Sequence, residues 1–230
     1  MHLNTLMYQK QYPEHNNIID SKIKDIDLNF VAADLPKIMS SMQIGAERIG
    51  SIVLSLRNFS RLDEADMKPV DLHEGIDNTL LILQHRFKSS IDFPGIKVIK
   101  HYGNLPRVEC YAGQINQVFM NILCNAVDAL IEKYKHKNIN YDTPKIVVST
   151  VYKGKTVIIR IADNGTGISE DLRTRIFDPF FTTKEVGKGT GLGLAISDQI
   201  VVEKHGGMIK CTSKPNKYTE FIIEIPVKQV

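Results

Sequence analysis

Three short segments carry the residues of this chain that could do chemistry. They are NILCNA at 121–126, DNGTGI at 163–168, and GKGTGLGL at 187–194, which has glycine at every second position. Amide oxygens are hard ligands suited to Mg²⁺, carboxylates accept hydrogen bonds from amines, and glycines let backbone approach a ligand closely. Each segment alone is a weak signal. In this order they indicate a nucleotide site that also holds a metal ion.

The two amides of the first segment lie four residues apart in a predicted helix. Apolar residues recur at helical spacing from Gln114 to Lys133, which places Asn121 and Asn125 on one face of that helix. Together they could face a bound metal ion. Alternatively, they mark only the solvent edge of an amphipathic helix, and this segment alone does not distinguish the two interpretations.

The carboxylate of the second segment follows a predicted buried strand, residues 156–162. At the end of such a strand Asp163 could accept a hydrogen bond from an exocyclic amine such as N6 of adenine. Gly165 and Gly167 permit positive φ and close approach of a ligand to the backbone. The alternative is a plain Asp-Asn-Gly turn, which is the commoner meaning of this pattern in isolation.

The alternating glycines run directly into a second predicted helix, residues 194–204. Backbone N–H groups at a helix N-terminus form a cradle for anions such as phosphate. The spacing matches neither the Walker A loop nor the G-x-G-x-x-G dinucleotide motif. We therefore expect a phosphate-binding loop of a different type.

These three segments resemble the N, G1 and G2 boxes of the GHKL ATPase superfamily. FDPFFTTK at 177–184 resembles the F box of sensor histidine kinases, and YTEFIIEIP at 218–226 resembles the strand that ends their catalytic domains. The resemblance covers roughly residues 70–230. It implies an α+β fold, a two-layer α/β sandwich, preceded by a helical dimerisation segment. It also implies a protein-histidine kinase that transfers the γ-phosphoryl group of ATP to a histidine, for relay to the receiver domain of a response regulator.

The resemblance also assigns roles to residues. Asn125 would bind Mg²⁺, Asn121 would support the metal ion or the phosphates, and Asp163 would bind adenine N6 with Thr219 in the same network. The residues expected to bind ATP are Asn121, Asn125, Asp128, Asp163, Gly165, Gly167, Ile168, Phe180, Thr182, Thr183, Lys184, Lys188, Gly189, Thr190, Gly191, Leu192, Gly193 and Thr219. Residues 166–190 would form a mobile lid over the nucleotide. The phenylalanines Phe177, Phe180 and Phe181 would pack that lid against the domain or a partner helix.

Two positions bear on the chemistry. Many histidine kinases have a basic residue where this chain has Asp128, so phosphate charge is expected to be met by Mg²⁺ and the lid lysines. Gln117 stands where hydrolytic relatives often place a carboxylate base. Because an amide cannot act as a base, Gln117 favours phosphotransfer over hydrolysis. With Asn121 and Asn125 it completes the set expected to act in catalysis.

The N-terminal third is predicted to be a helical dimerisation segment. After Asp34, a candidate N-cap, small or apolar residues alternate in steps of four and three. This heptad seam consists of Ile38, Met42, Gly45, Ile49, Ile52, Leu56 and Phe59. A period of 3.5 favours supercoiling against other helices, so we expect a homodimer. We predict domain boundaries at 1–67 and 68–230, with Lys68-Pro69 as a hinge.

No phosphoacceptor motif of the form H-E-[IL]-x-N-P occurs in the sequence. His73-Glu74 is not followed by Asn-Pro and lies in the predicted first helix of the catalytic domain. We therefore expect the acceptor histidine on a helix missing from this chain, so that this fragment cannot phosphorylate itself. Two alternatives stay open: a nucleotide-binding dimerisation module without phosphotransfer, or another GHKL ATPase.

Composition excludes several other classes. The 230 residues carry a formal net charge of +3 and no basic stripe with interleaved aromatics, so nucleic acid is not an expected partner. No apolar run is long enough for a membrane span. The three cysteines show no C-x-x-C spacing, which fits a reducing cytoplasm. The expected small-molecule partners are ATP and ADP.

Overall fold

The computed structural model describes residues 25, 30–31, 33–43, 66–90, 93–135, 142–184 and 191–228. The chain divides into two units, Met1–Val53 and Leu54–Val230, which are described separately. Within these described residues no helix is long and apolar enough to cross a lipid bilayer.

In the first unit, residues 33–43 form a helix, α1. Phe30 and Val31 are also helical, so Asp34 lies inside the helix and the predicted N-cap is wrong. Its carboxylate instead lies 3.9 Å from Lys37, one turn further on. The two seam residues in this part, Ile38 and Met42, are 49% and 69% exposed. The rest of the predicted seam lies outside the described residues.

The second unit alternates helices with short strands. In chain order its elements are β1 (Lys68–Val70), α2 (Leu72–Leu83), a 3₁₀ turn (Gln84–Phe87), β2 (Lys97–Tyr102), β3 (Val108–Cys110), α3 (Ala112–Lys135), β4 (Lys145–Lys153), β5 (Thr156–Asp163), α4 (Glu170–Arg173), α5 (Gly193–Gln199), a π-helical turn (Ile200–Lys204), β6 (Met208–Lys214) and β7 (Tyr218–Pro226). Asp71 caps α2 by accepting hydrogen bonds from the backbone N–H groups of His73 and Glu74.

Five strands form one mixed sheet in the order β2-β4-β5-β7-β6. The β2–β4 pair is parallel and the other three pairs are antiparallel. On one face the buried residues of β5 stand directly opposite those of β7, from Val157 opposite Ile225 to Asp163 opposite Thr219. The two strands therefore carry both the centre of the core and, at one end, two buried polar residues.

Helices α2 and α3 and the π-helical turn cover that face, in agreement with the predicted two-layer sandwich. Fully buried residues of α3, including Val118, Phe119, Ile122 and Leu123, join the inward residues of the sheet in one core. Burying a side chain of this size stabilises a fold by about 1.5–3 kcal/mol. Helix α3 is thus held rigidly, which fixes the direction of the polar residues on its other face.

Several features of the second unit were not predicted. Strands β1 and β3 pair as a separate two-stranded sheet. The 166–190 segment, the expected lid, contains the short helix α4. His73 is engaged within the domain: its ring stacks on Tyr102 with centroids 4.2 Å apart, and its Nε2 lies 2.8 Å from the Thr150 hydroxyl.

The π-helical turn that follows α5 ends at a pair of glycines. Gly206 has φ +55°, and the N–H groups of Gly206 and Gly207 donate to the carbonyls of Val202 and Val201. The buried residue His205 joins this end to the start of α3. Its Nδ1 donates to the Ile200 carbonyl at 2.8 Å, and its Nε2 accepts from the Tyr111 N–H at 3.0 Å.

Candidate functional site

A cavity of about 420 Å³ lies between α3, the C-terminal end of β5, the N-terminal end of β7, and the segment before α5. Most of the residues predicted to bind a ligand line it. They are Asn121, Asn125, Asp128, Asp163, Gly167, Ile168, Thr182, Thr183, Lys184, Gly191, Gly193 and Thr219. Segments that are far apart in the sequence therefore meet around one pocket.

The floor of this pocket is formed by two buried polar residues. Asp163 and Thr219 are 5% and 4% exposed and stand opposite each other in the β5–β7 register. One oxygen of Asp163 accepts the Gly165 N–H at 2.8 Å, which leaves further acceptor capacity on a residue that lines the cavity. Burial raises the pKa of Asp163 to about 7, despite the opposing effects of the Gly165 hydrogen bond and nearby Lys133.

Ser213 supports the floor and was missed by the sequence analysis. Its hydroxyl accepts the Ile168 N–H at 2.8 Å, donates to the Tyr218 carbonyl at 2.8 Å and lies 3.2 Å from the Thr219 hydroxyl. It therefore ties the segment after β5 to β6 and β7. No local pattern marks this serine, because its role follows from the pairing of Ser213 with Thr219 across two strands.

The two glycines after Asp163 are required by packing within the protein. Gly167 has φ +68°, and a Cβ there would lie 2.3 Å from the Lys214 carbonyl oxygen. Gly165 is not among the residues with positive φ; a Cβ there would lie 2.8 Å from the Ala129 Cβ. The positive φ that glycine permits is thus adopted at Gly167 and not at Gly165, and both glycines allow β5, α3 and the β6–β7 turn to approach closely.

The two amides of α3 face different neighbours. Asn121 donates through Nδ2 to the Gly193 carbonyl at 2.8 Å and to the Ser197 hydroxyl at 3.2 Å, so it fixes the start of α5 against α3. Asn125 instead directs its Oδ1 toward the Lys184 ammonium, at 3.3 Å. Asn125 is therefore the amide whose oxygen faces a cation.

A cluster of charged side chains forms the side of the pocket next to Asn125. Asp128 accepts a hydrogen bond from Lys184 at 2.5 Å through Oδ2 and a second one from Arg86 through Oδ1. Burial alone would raise the pKa of Asp128, but its hydrogen bonds with Lys184 and Arg86 and the attraction of their charges outweigh burial and lower it. Arg86, from the 3₁₀ turn after α2, was not predicted as a site residue.

Comparison with known proteins identifies the family. Residues 111–229 match the family model described as histidine kinase-, DNA gyrase B- and HSP90-like ATPase. The chain belongs to this ATPase family.

Relatives in the family include sensor kinases. The chain is 35% identical over 223 residues to the protein named sensor kinase CckA from Brucella abortus (strain 2308), an alignment covering 93% of this chain and 23% of that protein. It is 31% identical over 196 residues to the sensory histidine kinase/phosphatase NtrB of Azospirillum brasilense, covering 79% and 45%. The chain thus spans less than half the length of these curated relatives.

Solved structures agree in fold. The catalytic domain of histidine kinase ThkA superposes with a TM-score of 0.58 at 29% identity, covering 70% of this chain and 98% of that one. The predicted α+β sandwich and the resemblance to histidine kinase catalytic domains are confirmed by these matches.

The ATPase fold leaves some predicted site residues away from the pocket lining. Gly165 contacts Asp163 through its backbone N–H and is not part of the cavity lining. Gln117 lies one turn before Asn121 on α3, and Leu192 immediately precedes α5. Phe180 is 74% exposed. The remaining three, Lys188, Gly189 and Thr190, lie outside the described residues, so their roles stay predictions.

The described part of the expected lid, residues 166–184, packs on the domain through Phe177. Phe177 packs edge-on against Phe221 with ring centroids 6.5 Å apart, and the Arg175 guanidinium lies 4.6 Å from the centre of the Phe181 ring. A Cβ on Gly191, which has φ +65°, would lie 2.3 Å from the carbonyl carbon of Phe180. The backbones of Phe180 and Gly191 are therefore in close contact, and only glycine fits at position 191.

Proposed function

We propose that this chain is the ATP-binding catalytic core of a two-component sensor histidine kinase. The observation that carries the proposal is the floor of the pocket. A buried carboxylate, Asp163, faces Thr219 there, while Asn125 and the lid residue Lys184 stand at the other side of the same cavity. A nucleotide needs both kinds of surface: a buried acceptor for its base and cations near its phosphates.

In this proposal Asp163 accepts a hydrogen bond from N6 of adenine, and Thr219 and Ser213 keep the surrounding hydrogen-bond network in place. Asn121 holds α5 and the backbone of Gly193 beside the phosphates. Asn125 offers the amide oxygen that fits a hard divalent cation, since it already lies 3.3 Å from an ammonium group. When bound there, Mg²⁺ would neutralise phosphate charge. The lid residues Thr182 to Lys184 close the pocket on the phosphate side.

The reaction requires positioning and charge neutralisation more than covalent chemistry from the protein. A lone pair of an imidazole nitrogen attacks the γ-phosphorus, and the bond to the β–γ bridging oxygen breaks with its electrons moving to ADP. A neutral imidazole nitrogen needs no base, whereas water does. Gln117 supplies no base, so the site favours transfer to histidine over hydrolysis.

The remaining assignments concern the whole protein. We propose a helical dimerisation segment in residues 1–67, a catalytic domain in 68–230 and a homodimer formed through the exposed apolar residues of α1. The acceptor histidine is expected on a helix not contained in these 230 residues, and the phosphoryl group is expected to pass to the receiver domain of a response regulator in the cytoplasm.

Calorimetric titration with ATP, with and without Mg²⁺, tests the site. We expect Asp163→Asn to abolish tight binding in both conditions, and Asn125→Asp to alter its dependence on Mg²⁺. Asp171→Asn is the matched control, because it removes a carboxylate from the exposed helix α4 outside the pocket lining. Parent-like affinity in Asp163→Asn would contradict the adenine assignment.

A further inference from the structure

Two oxygen atoms on one helix converge on a single cation at the side of the pocket. Asn125 and Asp128 lie three residues apart on α3. The Lys184 ammonium lies 3.3 Å from Asn125 Oδ1 and 2.5 Å from Asp128 Oδ2. The two oxygens belong to a rigid helix that is packed on the core. The Lys184 ammonium, in contrast, lies at the end of a flexible side chain in the expected lid. The oxygen pair is therefore the fixed part of this arrangement.

Asp128 is held in place by a second cation on its other side. Arg86, from the 3₁₀ turn after α2, donates to Oδ1 and leaves Oδ2 directed at Lys184. The side chains of Arg86, Asp128 and Lys184 are 28%, 34% and 36% exposed. Ion pairs this accessible contribute little to stability, so Lys184 can be exchanged for another cation at little cost.

The chemistry of the pair fits a divalent ion better than an ammonium group. An amide oxygen and a carboxylate oxygen are both hard ligands, and Mg²⁺ is typically held by one or two carboxylates together with nucleotide phosphates. Arg86 neutralises the carboxylate from behind, so the charge of an incoming metal ion adds to the attraction for phosphate. The basic residue that many histidine kinases have in place of Asp128 could not bind a metal ion in this way.

We propose that Asp128, through Oδ2, is the second protein ligand of the Mg²⁺ that accompanies ATP, that Arg86 positions it, and that Lys184 occupies the position of the ion in the nucleotide-free protein. The inference rests on the proposed function, since it concerns the metal of the same nucleotide site. Arrival of the metal–nucleotide releases Lys184 from Asp128, and the lysine becomes available to the phosphates. Binding of the metal ion and movement of Lys184 away from Asp128 are thereby coupled.

The decisive quantity is the gain in affinity that Mg²⁺ brings to a non-hydrolysable ATP analogue. It is measured by calorimetry as the ratio of the Kd values in EDTA and in Mg²⁺. We expect Asp128→Asn to lower this ratio about 10–100-fold, as loss of a metal ligand or its support does, with little change in EDTA. The matched control Glu132→Gln removes a carboxylate that lines the same cavity one turn beyond Asp128, and because Glu132 is not one of the two oxygen ligands it should keep the parent ratio.

A ratio in Asp128→Asn that equals the parent ratio would overturn the proposal, whether binding weakens equally in EDTA and in Mg²⁺ or does not change, because Asp128 would then contribute nothing specific to the metal ion. A parent protein that binds no nucleotide would instead contradict the proposed function.

Mn²⁺ binding to the nucleotide-free protein, followed by electron paramagnetic resonance, tests the role of Lys184. Lys184→Met should bind Mn²⁺ at least several-fold more tightly than the parent, and Asp128→Asn in the same chain should remove the gain. An unchanged Mn²⁺ affinity in Lys184→Met would show that the lysine does not occupy the ion's position.

Discussion

Lowering the pH should weaken ATP binding through protonation of Asp163. Burial raises the pKa of this carboxyl to about 7 in the nucleotide-free protein. An adenine amine donates a hydrogen bond and therefore binds the ionised form. With a pKa near 7, the ionised fraction falls from about nine-tenths at pH 8 to about one-tenth at pH 6, so ATP affinity should fall about tenfold over this range.

Inosine triphosphate provides the internal control. It carries a carbonyl oxygen where ATP has the N6 amine, so it accepts a hydrogen bond and should prefer protonated Asp163. Titration of the phosphates affects both nucleotides alike and cancels in the ratio of their affinities. We expect the preference for ATP over inosine triphosphate to rise at least about tenfold from pH 6 to pH 8.

The assay is competitive calorimetry at several pH values with the parent and with Asp163→Asn. The variant should show an ATP preference that does not change with pH. A flat preference in the parent as well would refute the reasoning, because Asp163 would then not meet position 6 of the base.

Three further predictions concern stability. Burial raises the pKa of Asp163 to about 7 in the folded protein, so its ionisation lowers the stability of the fold as the pH rises from about 4 to about 7, with no further loss above that. Asp163→Asn should therefore stabilise the nucleotide-free protein by about 1–3 kcal/mol at pH 8; a lower melting temperature would contradict this. His205→Ala should cost about 3–5 kcal/mol in chemical denaturation, because it opens a cavity and leaves the Tyr111 N–H unpaired. Burial also lowers the pKa of His205, so in the parent its contribution should decline as the pH falls below about 6.5, and a pH-independent cost of His205→Ala would count against this. Gly167→Ala should cost at least about 2 kcal/mol more than Gly154→Ala, because both have φ +68° but only Gly167 meets backbone within 4 Å; equal costs would show that the close approach does not matter.

The elements that carry the site could be predicted from the sequence, because their patterns are long and local. Helix α3 was expected over 114–133 and spans Ala112–Lys135, and the strand expected over 156–162 spans Thr156–Asp163. Twenty residues of helical apolar periodicity, or a run of buried β-branched residues, allow few other structures. The order of the three motif segments then indicated the family that the comparisons show.

Contacts between distant segments could not be predicted in the same way. Arg86 reaches Asp128 across 42 positions of the sequence, and no pattern around either residue specifies the pair. Ser213 meets Thr219 only because β6 and β7 pair in one register. The glycines show a related limit: they were expected to let a ligand approach the backbone closely, yet at Gly167 and Gly191 the atoms nearest to an added Cβ belong to the protein's own backbone.

Transfer of the γ-phosphoryl group tests the central claim most directly. The chain is incubated with γ-labelled ATP, Mg²⁺ and a separately purified helical domain that carries an H-E-[IL]-x-N-P motif. We predict label on that domain that is stable to base, labile to acid, and absent when its motif histidine is replaced or when the chain carries Asp163→Asn. Release of free phosphate at the same rate with and without the helical domain, and no labelled histidine, would contradict the kinase account and indicate an ATP-hydrolysing member of the family.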